Sequence, residues 1–269
     1  MKDKILVLGH KGMLGRTVFS YLKNNSDHSI LSIESNKRWP SDDYKKEIDR
    51  ADIIINCAGS IPQKTPILSD LFSINTDLPL YLISTGKKVI HASTDCEYSG
   101  NIPKNSYYSI DSIEDANDSY GISKKTVTKF AKCINSNNFK IIRTSIIGIE
   151  ESTSFSLLNW ACSNFENNND INGFNNHYWN GITTLEWAKI ALRMIHGDLK
   201  DESFIQPTIK TLSKYDLLNH IKNEFNPDST SHINSISHEK SQNKSLSTTL
   251  VVPTIEKMLS ELREWRDKQ

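Results

Sequence analysis

The sequence predicts an α/β protein whose core is a doubly wound parallel sheet. Short runs rich in Ile and Val alternate with helical patterns through the first half of the 269 residues. Strands that alternate with helices in this way form parallel sheets with right-handed crossovers. Three glycines, Gly9, Gly12 and Gly15, lie where the first apolar run meets the first helical pattern. A chain of this length holds one large domain, or a main domain with a smaller lobe.

The apolar runs of the first half have the length and composition of buried strands. They lie at 5–8, 30–33, 53–55, 89–91 and 140–143. Helices are predicted between them at 13–23, 44–48, 69–84 and 120–133, and the pattern at 44–48 is the weakest. Ligands of such a sheet bind in the crevice beyond the carboxyl ends of its strands. The residues that directly follow each strand are therefore the first candidates for a functional site.

The regular alternation is lost after Thr144. Helices are predicted at 155–165, 185–195, 214–225 and 254–265. The connecting segments 166–176 and 226–244 are rich in Asn, Ser and His, which favours solvated and partly disordered loops. The alternative is a smaller lobe whose loops close over a ligand.

Composition excludes several classes of partner. Lys plus Arg and Asp plus Glu each number 32, so the net charge gives no reason to expect nucleic acid or an anionic membrane. The four cysteines (Cys57, Cys96, Cys133 and Cys162) are far apart, which favours reduced thiols and no metal site. The apolar run at 5–8 ends at Gly9, too early for a signal peptide, and no run is long enough to span a bilayer. We expect a soluble, cytoplasmic protein.

The glycine cluster reads Gly9-His10-Lys11-Gly12-Met13-Leu14-Gly15 and has the context of a dinucleotide site. The first glycine permits the turn from strand to helix, the second lets the backbone approach a pyrophosphate, and the third allows close helix–sheet packing. The N–H groups at the start of the helix, at Met13 and Leu14, would face the anion. The spacing G-x-x-G-x-x-G resembles that of extended short-chain reductases. An ordinary glycine-rich turn is the alternative.

The residues around the second strand bear on the type of cofactor. Glu34 ends that strand about 20 residues after the glycines, where an acid binds the ribose 2′-hydroxyl of NAD. Lys11, Lys37 and Arg38 instead suit the 2′-phosphate of NADP, although Lys37 and Arg38 also fit a solvated surface. The glycine loop is also similar to that of GDP-fucose synthase, an NADPH enzyme. We expect NADP(H), with NAD(H) as the alternative.

Two further segments complete the predicted cofactor site. Asn56-Cys57-Ala58-Gly59 follows the third strand and is similar to the Asn-Asn-Ala-Gly signature of the same superfamily. Its small residues, Cys57, Ala58 and Gly59, would let the cofactor lie against the sheet edge. Asn75 matches an asparagine of the superfamily, or is a polar residue inside a helix.

The residues Tyr120-Gly121-Ile122-Ser123-Lys124 form a Y-x-x-x-K motif. The (i, i+4) spacing places Tyr120 and Lys124 on one helix face. We expect the ammonium to lower the pKa of the phenol, so that Tyr120 can transfer a proton, and to hold the nicotinamide ribose. Ser93-Thr94-Asp95 follows the fourth strand, where a hydroxyl can bind a substrate carbonyl, or can simply cap a turn.

Together, the glycine loop, the segment Ser93–Gly100, the Y-x-x-x-K motif and Ile142-Arg143-Thr144-Ser145 resemble the dTDP-4-dehydrorhamnose reductase family. The resemblance implies a Rossmann core at 1–148 and a substrate-binding lobe over most of 149–269, with some segments returning to the core. It implies catalytic roles for Thr94, Tyr120 and Lys124. Cys96 departs from the family pattern, and so does 243–246, which has Lys244 where an anion contact is expected. Glu97 is interpreted as a solvated loop acid, or as a substrate contact.

The resemblance implies an NAD(P)H-dependent reductase of a nucleotide-linked 4-keto-6-deoxy sugar, in deoxysugar synthesis for a surface polysaccharide. The expected substrate contacts are Thr94, Asp95, Arg143, Asn175, Asn176, His177 and Trp179. A nucleotide-sugar epimerase or dehydratase is one alternative. A non-catalytic NADP-binding subunit similar to the methionine adenosyltransferase β subunit is another. By analogy, the chain would associate as a homodimer.

Overall fold

The computed structural model describes residues 2–34, 36–150, 156–199 and 202–268. The chain folds into two compact units, each built from separate stretches of sequence. Unit 1 comprises Met1–Tyr98, Ile113–Arg143 and Ala188–Ile205, and unit 2 comprises Ser99–Ser112, Thr144–Trp187 and Gln206–Gln269. The short stretch 99–112 belongs to unit 2, and 188–205 belongs to unit 1.

In the described residues the strands, in chain order, are β1 (Lys4–Leu8), β2 (Ser29–Ser32), β3 (Ile53–Asn56), β4 (Lys88–Ser93), β5 (Phe139–Arg143), β6 (Ile146–Ile147), β7 (Ile171–Phe174), β8 (His177–Trp179), β9 (Ile182–Thr183), β10 (Phe204–Ile205), β11 (Pro207–Thr208), β12 (Leu212–Ser213), β13 (Ile233–Ile236), β14 (Gln242–Asn243) and β15 (Leu250–Val251). The α-helices are α1 (Met13–Asn25), α2 (Asp42–Asp49), α3 (Leu68–Phe72), α4 (Leu78–Ser84), α5 (Ser119–Ile134), α6 (Leu157–Glu166), α7 (Thr184–His196), α8 (Lys214–Phe225) and α9 (Ile255–Arg266). None of these helices combines the length and apolar character needed to cross a membrane.

Unit 1 contains a six-stranded sheet with the order β10-β5-β4-β3-β1-β2, and every neighbouring pair is parallel. The predicted doubly wound α/β fold is thus confirmed. Strands such as β1 and β3 are apolar without interruption because the sheet is covered on both faces, and Leu6, Ile54 and Ile141 are at most 1% exposed. The strand order reverses between β1 and β3, and ligands of such sheets bind beyond the carboxyl ends of the strands at this point.

The helix predicted at 69–84 is interrupted. Between α3 and α4 the chain forms a π-helical segment, Ser73–Asp77, and Pro79 then occupies the first turn of α4. A proline lacks the backbone N–H that a regular helix would use at that position. Wide segments of this kind often occur at functional sites, and this one carries Asn75.

In unit 2 the segments predicted as solvated loops, 166–176 and 226–244, are mostly exposed but are not wholly irregular. Each contains a strand, β7 and β13, and the two strands pair in parallel with Ile171 opposite Ile233. Their polar side chains bond across the pair, since Asn175 Nδ2 lies 3.0 Å from Ser235 Oγ and Asn234 Nδ2 lies 3.3 Å from Asn172 Oδ1. The helix predicted at 155–165 begins at Leu157 with Ser156 as its cap, and Phe155 lies outside the described residues.

Candidate active site

The glycine loop forms a tight turn between β1 and α1. Gly9 has a left-handed backbone (φ +76°), and a Cβ atom there would lie 2.7 Å from the Ala58 nitrogen. A Cβ on Gly15 would lie 2.2 Å from the Gly9 oxygen, so a side chain fits at neither position. Gly12 is the N-cap of α1 and is exposed, with no side-chain cap and no acidic residue in the first turn. The first N–H groups of α1 are therefore suited to hold a pyrophosphate.

Of the residues predicted in this loop, Lys11 is exposed, Met13 is half-buried and Leu14 packs in the core. Leu14 can therefore reach a ligand only through its backbone.

The conformation of the segment after β3 is fixed by Asn56, which is fully buried. Its Oδ1 accepts a hydrogen bond from the Ala58 nitrogen at 3.1 Å, and its Nδ2 lies 3.1 Å from His91 Nδ1. Asn56 thus fixes the turn that carries Cys57, Ala58 and Gly59.

Asn75 positions the same region from the π-helical segment. Its Oδ1 accepts from the Ser60 nitrogen at 2.8 Å, and its Nδ2 lies 2.8 Å from the Ser60 oxygen and 3.0 Å from Ser123 Oγ. The side chain is fully buried and has no exposed surface to offer to a ligand. The predicted direct contact between Asn75 and a cofactor is therefore wrong. The residue instead ties the loop after β3 to helix α5.

At the end of β2, acidic groups neutralise one of the predicted cations. Lys37 Nζ lies 2.6 Å from Glu47 Oε1 and 3.8 Å from Glu34 Oε2. The hydrogen bond with Glu47 raises the pKa of Lys37, and the same bond lowers the pKa of Glu47. Arg38 is exposed, and the Glu34 side chain is 72% exposed. Lys11 in the glycine loop and Arg38 after β2 are consequently more available than Lys37.

Thr94 and Tyr120 meet beyond the end of β4. Thr94 caps the short 3₁₀ turn Asp95–Glu97, since its Oγ1 accepts from the Cys96 nitrogen at 3.1 Å and lies 3.2 Å from Asp95 Oδ1. Tyr120 lies in the first turn of α5, which Asp118 caps through the Gly121 nitrogen at 2.9 Å. The Thr94 hydroxyl is near enough to Tyr120 to lower the pKa of its phenol. The two hydroxyls thus lie in the same region, where a carbonyl oxygen could meet both.

Lys124 lies one turn after Tyr120 and is 5% exposed. Its ammonium donates a hydrogen bond to the Ala92 oxygen at 2.9 Å. Burial lowers the pKa of Lys124 to about 8, although Glu97 and Cys57 act in the opposite direction. An amine with this pKa can both hold and release a proton near neutral pH.

The pKa of Tyr120 differs from the sequence-based expectation. Burial raises this pKa, the nearby Cys96, Asp95 and Glu97 raise it further, and only the hydrogen bond with Thr94 lowers it. We predicted that Lys124 would bring the pKa of the phenol down, but Lys124 is not among the groups that act on Tyr120, and burial raises the pKa instead. The phenol is therefore protonated at neutral pH, which is the state of a proton donor.

An ion cluster lies next to these residues; Glu97, Glu114 and Arg143 are buried, and Lys132 joins them from the surface. Arg143 Nη2 is 2.8 Å from Glu97 Oε2 and 2.7 Å from Glu114 Oε1, and Lys132 Nζ is 2.6 Å from Glu114 Oε1. Arg143 also bonds the Tyr98 hydroxyl. Glu97 and Arg143 are both fully buried. The interpretation of Glu97 as a solvated acid and the predicted contact of Arg143 with a substrate are therefore wrong.

A sequence profile of the NAD-dependent epimerase/dehydratase family matches residues 5–147, which is more than half of the chain. The chain belongs to this family. A search of curated proteins finds no match.

Solved structures of dTDP-4-dehydrorhamnose reductases share the fold of this epimerase/dehydratase family member. The enzyme from Clostridium acetobutylicum superposes with a TM-score of 0.82 at 16% identity, covering 98% of this chain and 99% of that one. The enzyme from Bacillus anthracis, solved with NADP, gives 0.82 at 17% identity over 98% and 100%. UDP-glucose 4-epimerase from Thermotoga maritima gives 0.77 at 14% identity over 98% and 99%. At these identities the likeness shows the fold alone.

The predicted substrate residues of unit 2 differ in accessibility. Trp179 is 3% exposed, which leaves little of its ring for a ligand. Asn176 and His177 bond the backbone oxygens of His238 and Lys240, at 2.7 and 3.3 Å. Asn175 is exposed and lines a cavity of about 430 Å³, and other residues that line it are Lys104, Tyr178 and Lys210. Of the four, Asn175 is thus the best placed to meet a ligand of this family member.

Sequence reasoning missed the roles of Asn56, His91 and Glu114. Asn56 stood in a recognised segment, so its polar side chain at a strand end was a usable signal. His91 lies inside β4 and Glu114 lies in a loop. Nothing in the sequence near either residue indicates its partner, which is Asn56 for His91 and Arg143 for Glu114. Such pairs become visible only when the strand order is known.

Proposed function

We propose that the chain is an NAD(P)H-dependent reductase that acts on a 4-keto-6-deoxy sugar linked to a nucleoside diphosphate. The observation that carries the proposal is the proximity of Thr94, at the end of β4, to Tyr120, in the first turn of α5, with the buried Lys124 one helical turn away. This arrangement offers two hydroxyls to one carbonyl oxygen and places a titratable amine beside them.

The residues around the β1–β3 switch point fit a dinucleotide. The uncapped start of α1 suits the pyrophosphate, and the turn at Gly9 brings the backbone close to Ala58. When bound, a reduced nicotinamide supplies hydride to the carbonyl carbon of a substrate. We expect NADP(H) to be preferred, because Lys11 in the glycine loop and Arg38 after β2 are exposed, whereas Lys37 is held by Glu47. The Bacillus anthracis neighbour was solved with NADP.

Tyr120 would donate its proton to the carbonyl oxygen as that oxygen gains negative charge. The raised pKa of Tyr120 keeps the proton on the phenol until it is needed. Thr94 Oγ1 would donate a hydrogen bond to the same oxygen and hold it in line. Lys124 would return a proton to Tyr120 and bind the ribose next to the reacting ring.

The other reactions of the family fit these residues less well. A dehydratase needs an acid group free to act next to the Thr-Asp pair, but the carboxylate of Glu97 is buried against Arg143. Here Cys96 occupies the position after Thr94-Asp95. An epimerase recycles tightly held NAD, so purification of the protein already loaded with NAD would favour that reaction. Failure to oxidise NAD(P)H, together with stable capture of another enzyme, would favour a regulatory subunit.

The proposal is tested by a screen of 4-keto-6-deoxy sugars linked to dTDP, UDP, GDP or CDP, each with NADPH and with NADH. We expect loss of the reduced-nicotinamide absorbance with at least one of these substrates, and faster turnover with NADPH. The same sugar nucleotides without the keto group serve as controls. An absence of oxidation with all of the keto sugars would contradict the proposal.

A further inference from the structure

Glu97 is fully buried three residues after Thr94, in a turn that the proposed reaction does not otherwise use. Its carboxylate is held from three directions. Ser93 Oγ and Thr128 Oγ1, the latter at 2.7 Å, donate to Oε1, and Arg143 Nη2 lies 2.8 Å from Oε2. A buried carboxylate is costly unless such partners compensate for lost hydration. The burial of the Glu97 carboxylate therefore indicates a specific role for this residue.

These partners belong to the elements that carry the proposed catalytic groups. Ser93 directly precedes Thr94 at the end of β4. Thr128 follows Tyr120 and Lys124 at successive four-residue intervals on α5, so the three side chains share one face of the helix. Arg143 lies opposite Ser93 in the pairing of β4 with β5. One carboxylate thus connects the strand end to the catalytic face of α5.

The charge of Glu97 also raises the pKa of both Lys124 and Tyr120. The groups that act on Lys124 are Cys57 after β3, His91 on β4 and Glu97 itself. Those that act on Tyr120 are Asp95, Cys96 and Glu97, together with the hydroxyl of Thr94. Burial and Lys124 lower the pKa of His91, and burial raises the pKa of Cys57. These two groups are therefore neutral, and Glu97 is the carboxylate that supports the charge on Lys124.

We infer that Glu97 is a positioning residue of the proposed reductase, which fixes the Thr94 turn against α5 and supplies the negative charge that keeps Lys124 in its ammonium form. This inference rests on the proposed function for its catalytic consequence. Its electrostatic part concerns the protein alone and can be measured without a substrate.

Glu114 provides a matched control within the same ion cluster. It contacts Arg143 at 2.7 Å and Lys132 at 2.6 Å and is 4% exposed, so its loss should disturb the cluster to a similar extent. Burial would raise its pKa, but Lys132 and Arg143 bring the pKa of Glu114 below the ordinary value. Glu114 is not among the groups that act on Lys124 or Tyr120. A purely structural role of the cluster would make the two glutamates equivalent.

The test compares Glu97→Gln with Glu114→Gln by NMR of protein labelled on its lysines, with the Lys124 signal assigned from Lys124→Met. We expect the titration midpoint of Lys124 to fall by about one pH unit in Glu97→Gln, which is the effect of one nearby charge. Glu114→Gln should leave the midpoint within a few tenths of a unit. In a plot of turnover against pH, the fall in rate at alkaline pH should move to lower pH in Glu97→Gln but not in Glu114→Gln. Loss of the negative charge of Glu97 lowers the pKa of both Lys124 and Tyr120.

Glu97→Asp separates charge from position. It keeps the carboxylate but shortens it, so the midpoint of Lys124 should stay near the wild-type value while kcat falls and KM changes little. If Glu97→Gln does not fold, Glu97→Gln with Arg143→Met removes the pair together, which buried pairs tolerate better than loss of one partner. A smaller downward shift of Lys124 is expected in that variant, because the positive charge of Arg143 is lost together with the negative charge of Glu97.

An unchanged Lys124 midpoint in the folded Glu97→Gln variant would overturn the inference, and so would equal shifts in Glu97→Gln and Glu114→Gln. Failure of the proposed function gives a different result. The wild-type protein would then reduce no keto-sugar nucleotide, while the midpoint of Lys124 would still respond to Glu97 and the electrostatic part would stand.

Discussion

Desolvation sets the protonation states of the candidate catalytic residues. Burial raises the pKa of Tyr120 and lowers that of Lys124 to about 8, so at neutral pH the phenol and the ammonium both keep their protons. A reductase needs this combination, because the carbonyl oxygen must receive a proton as hydride arrives. In an exposed Y-x-x-x-K motif both groups would also be protonated, but the lysine, with a pKa of about 10.4, would release its proton less readily.

Replacing Tyr120 with Phe removes the proposed proton donor and leaves the ring in place. We expect turnover to fall by roughly 10²–10⁴-fold, with little change in the affinity for NADPH, which is measured by fluorescence titration. Tyr44→Phe is the control, since Tyr44 is a buried tyrosine of the same unit that packs beside Trp39. Near-normal turnover of the Tyr120→Phe variant would rule out this donor.

Replacing Lys124 with Met should stabilise the protein while it abolishes turnover. The folded chain holds the lysine at a pKa of about 8, below its ordinary value. The native state therefore binds fewer protons than the unfolded state above pH 8, and the wild-type stability should rise with pH through that window. At pH 7 the variant avoids the cost of a buried charge but loses the bond to the Ala92 oxygen. A thermal melt that shows a lower Tm at pH 7 would contradict this.

Arg38 should determine the preference for NADPH. Arg38→Ala removes an exposed guanidinium, so KM for NADPH should rise roughly tenfold, while KM for NADH stays nearly constant. Lys37→Ala is the comparison, because Lys37 is already bonded to Glu47 and should matter less. Steady-state kinetics with both cofactors measure the two effects. Equal changes for NADH and NADPH would show that Arg38 does not read the 2′-phosphate.

At the scale of elements, the turn from β1 to α1 contains one glycine that the fold requires, Gly15, and one that we expect only cofactor binding to require, Gly12. A Cβ on Gly12 would lie 3.4 Å from the Gly9 oxygen, an ordinary contact, and Gly12 has a φ of −81° that alanine adopts freely. A Cβ on Gly15 would be 2.2 Å from that oxygen, so the backbone must move. The two glycines therefore have different reasons to lack a side chain.

Gly12→Ala should keep the wild-type Tm but weaken the binding of NADPH at least about tenfold, since the methyl group points to where a pyrophosphate would approach. Gly15→Ala should instead lower stability by roughly 1–3 kcal/mol through overpacking. Thermal melts and isothermal titration measure the two effects. A Gly12→Ala variant that binds NADPH normally would show that the pyrophosphate lies elsewhere.

The sequence predicted those elements whose physics is local. The buried strands of unit 1 were found from uninterrupted apolar runs, and α8 was predicted at 214–225 with the bounds that the structure shows. The π-helical segment was missed because Asn75 gains its bonds to Ser60 and Ser123 only in the folded chain. The strands of unit 2 were missed because they have two to four residues, too few for a period.

At the scale of the whole molecule, non-local pairing explains the errors in the predicted site. Glu97 and Arg143 are far apart in sequence, and only the adjacency of β4 and β5 brings them together. Thr94, Tyr120 and Lys124 could be predicted as a set because their order along the chain resembles a known family. The roles of Arg143 and Glu97 could not, because a charged residue that is buried in one chain is often a surface contact in another.

The proposed reaction requires hydride transfer from the nicotinamide to the carbonyl carbon of the sugar, whose oxygen Tyr120 and Thr94 would bind. The most direct measurement uses NADPH deuterated at the transferable position, with the keto-sugar nucleotide that the screen identifies, and follows the sugar product by NMR. The account predicts one deuterium at the new carbinol carbon for each NADPH oxidised, and its loss in the Tyr120→Phe variant. Oxidation of the cofactor without deuterium at that carbon would contradict the central claim.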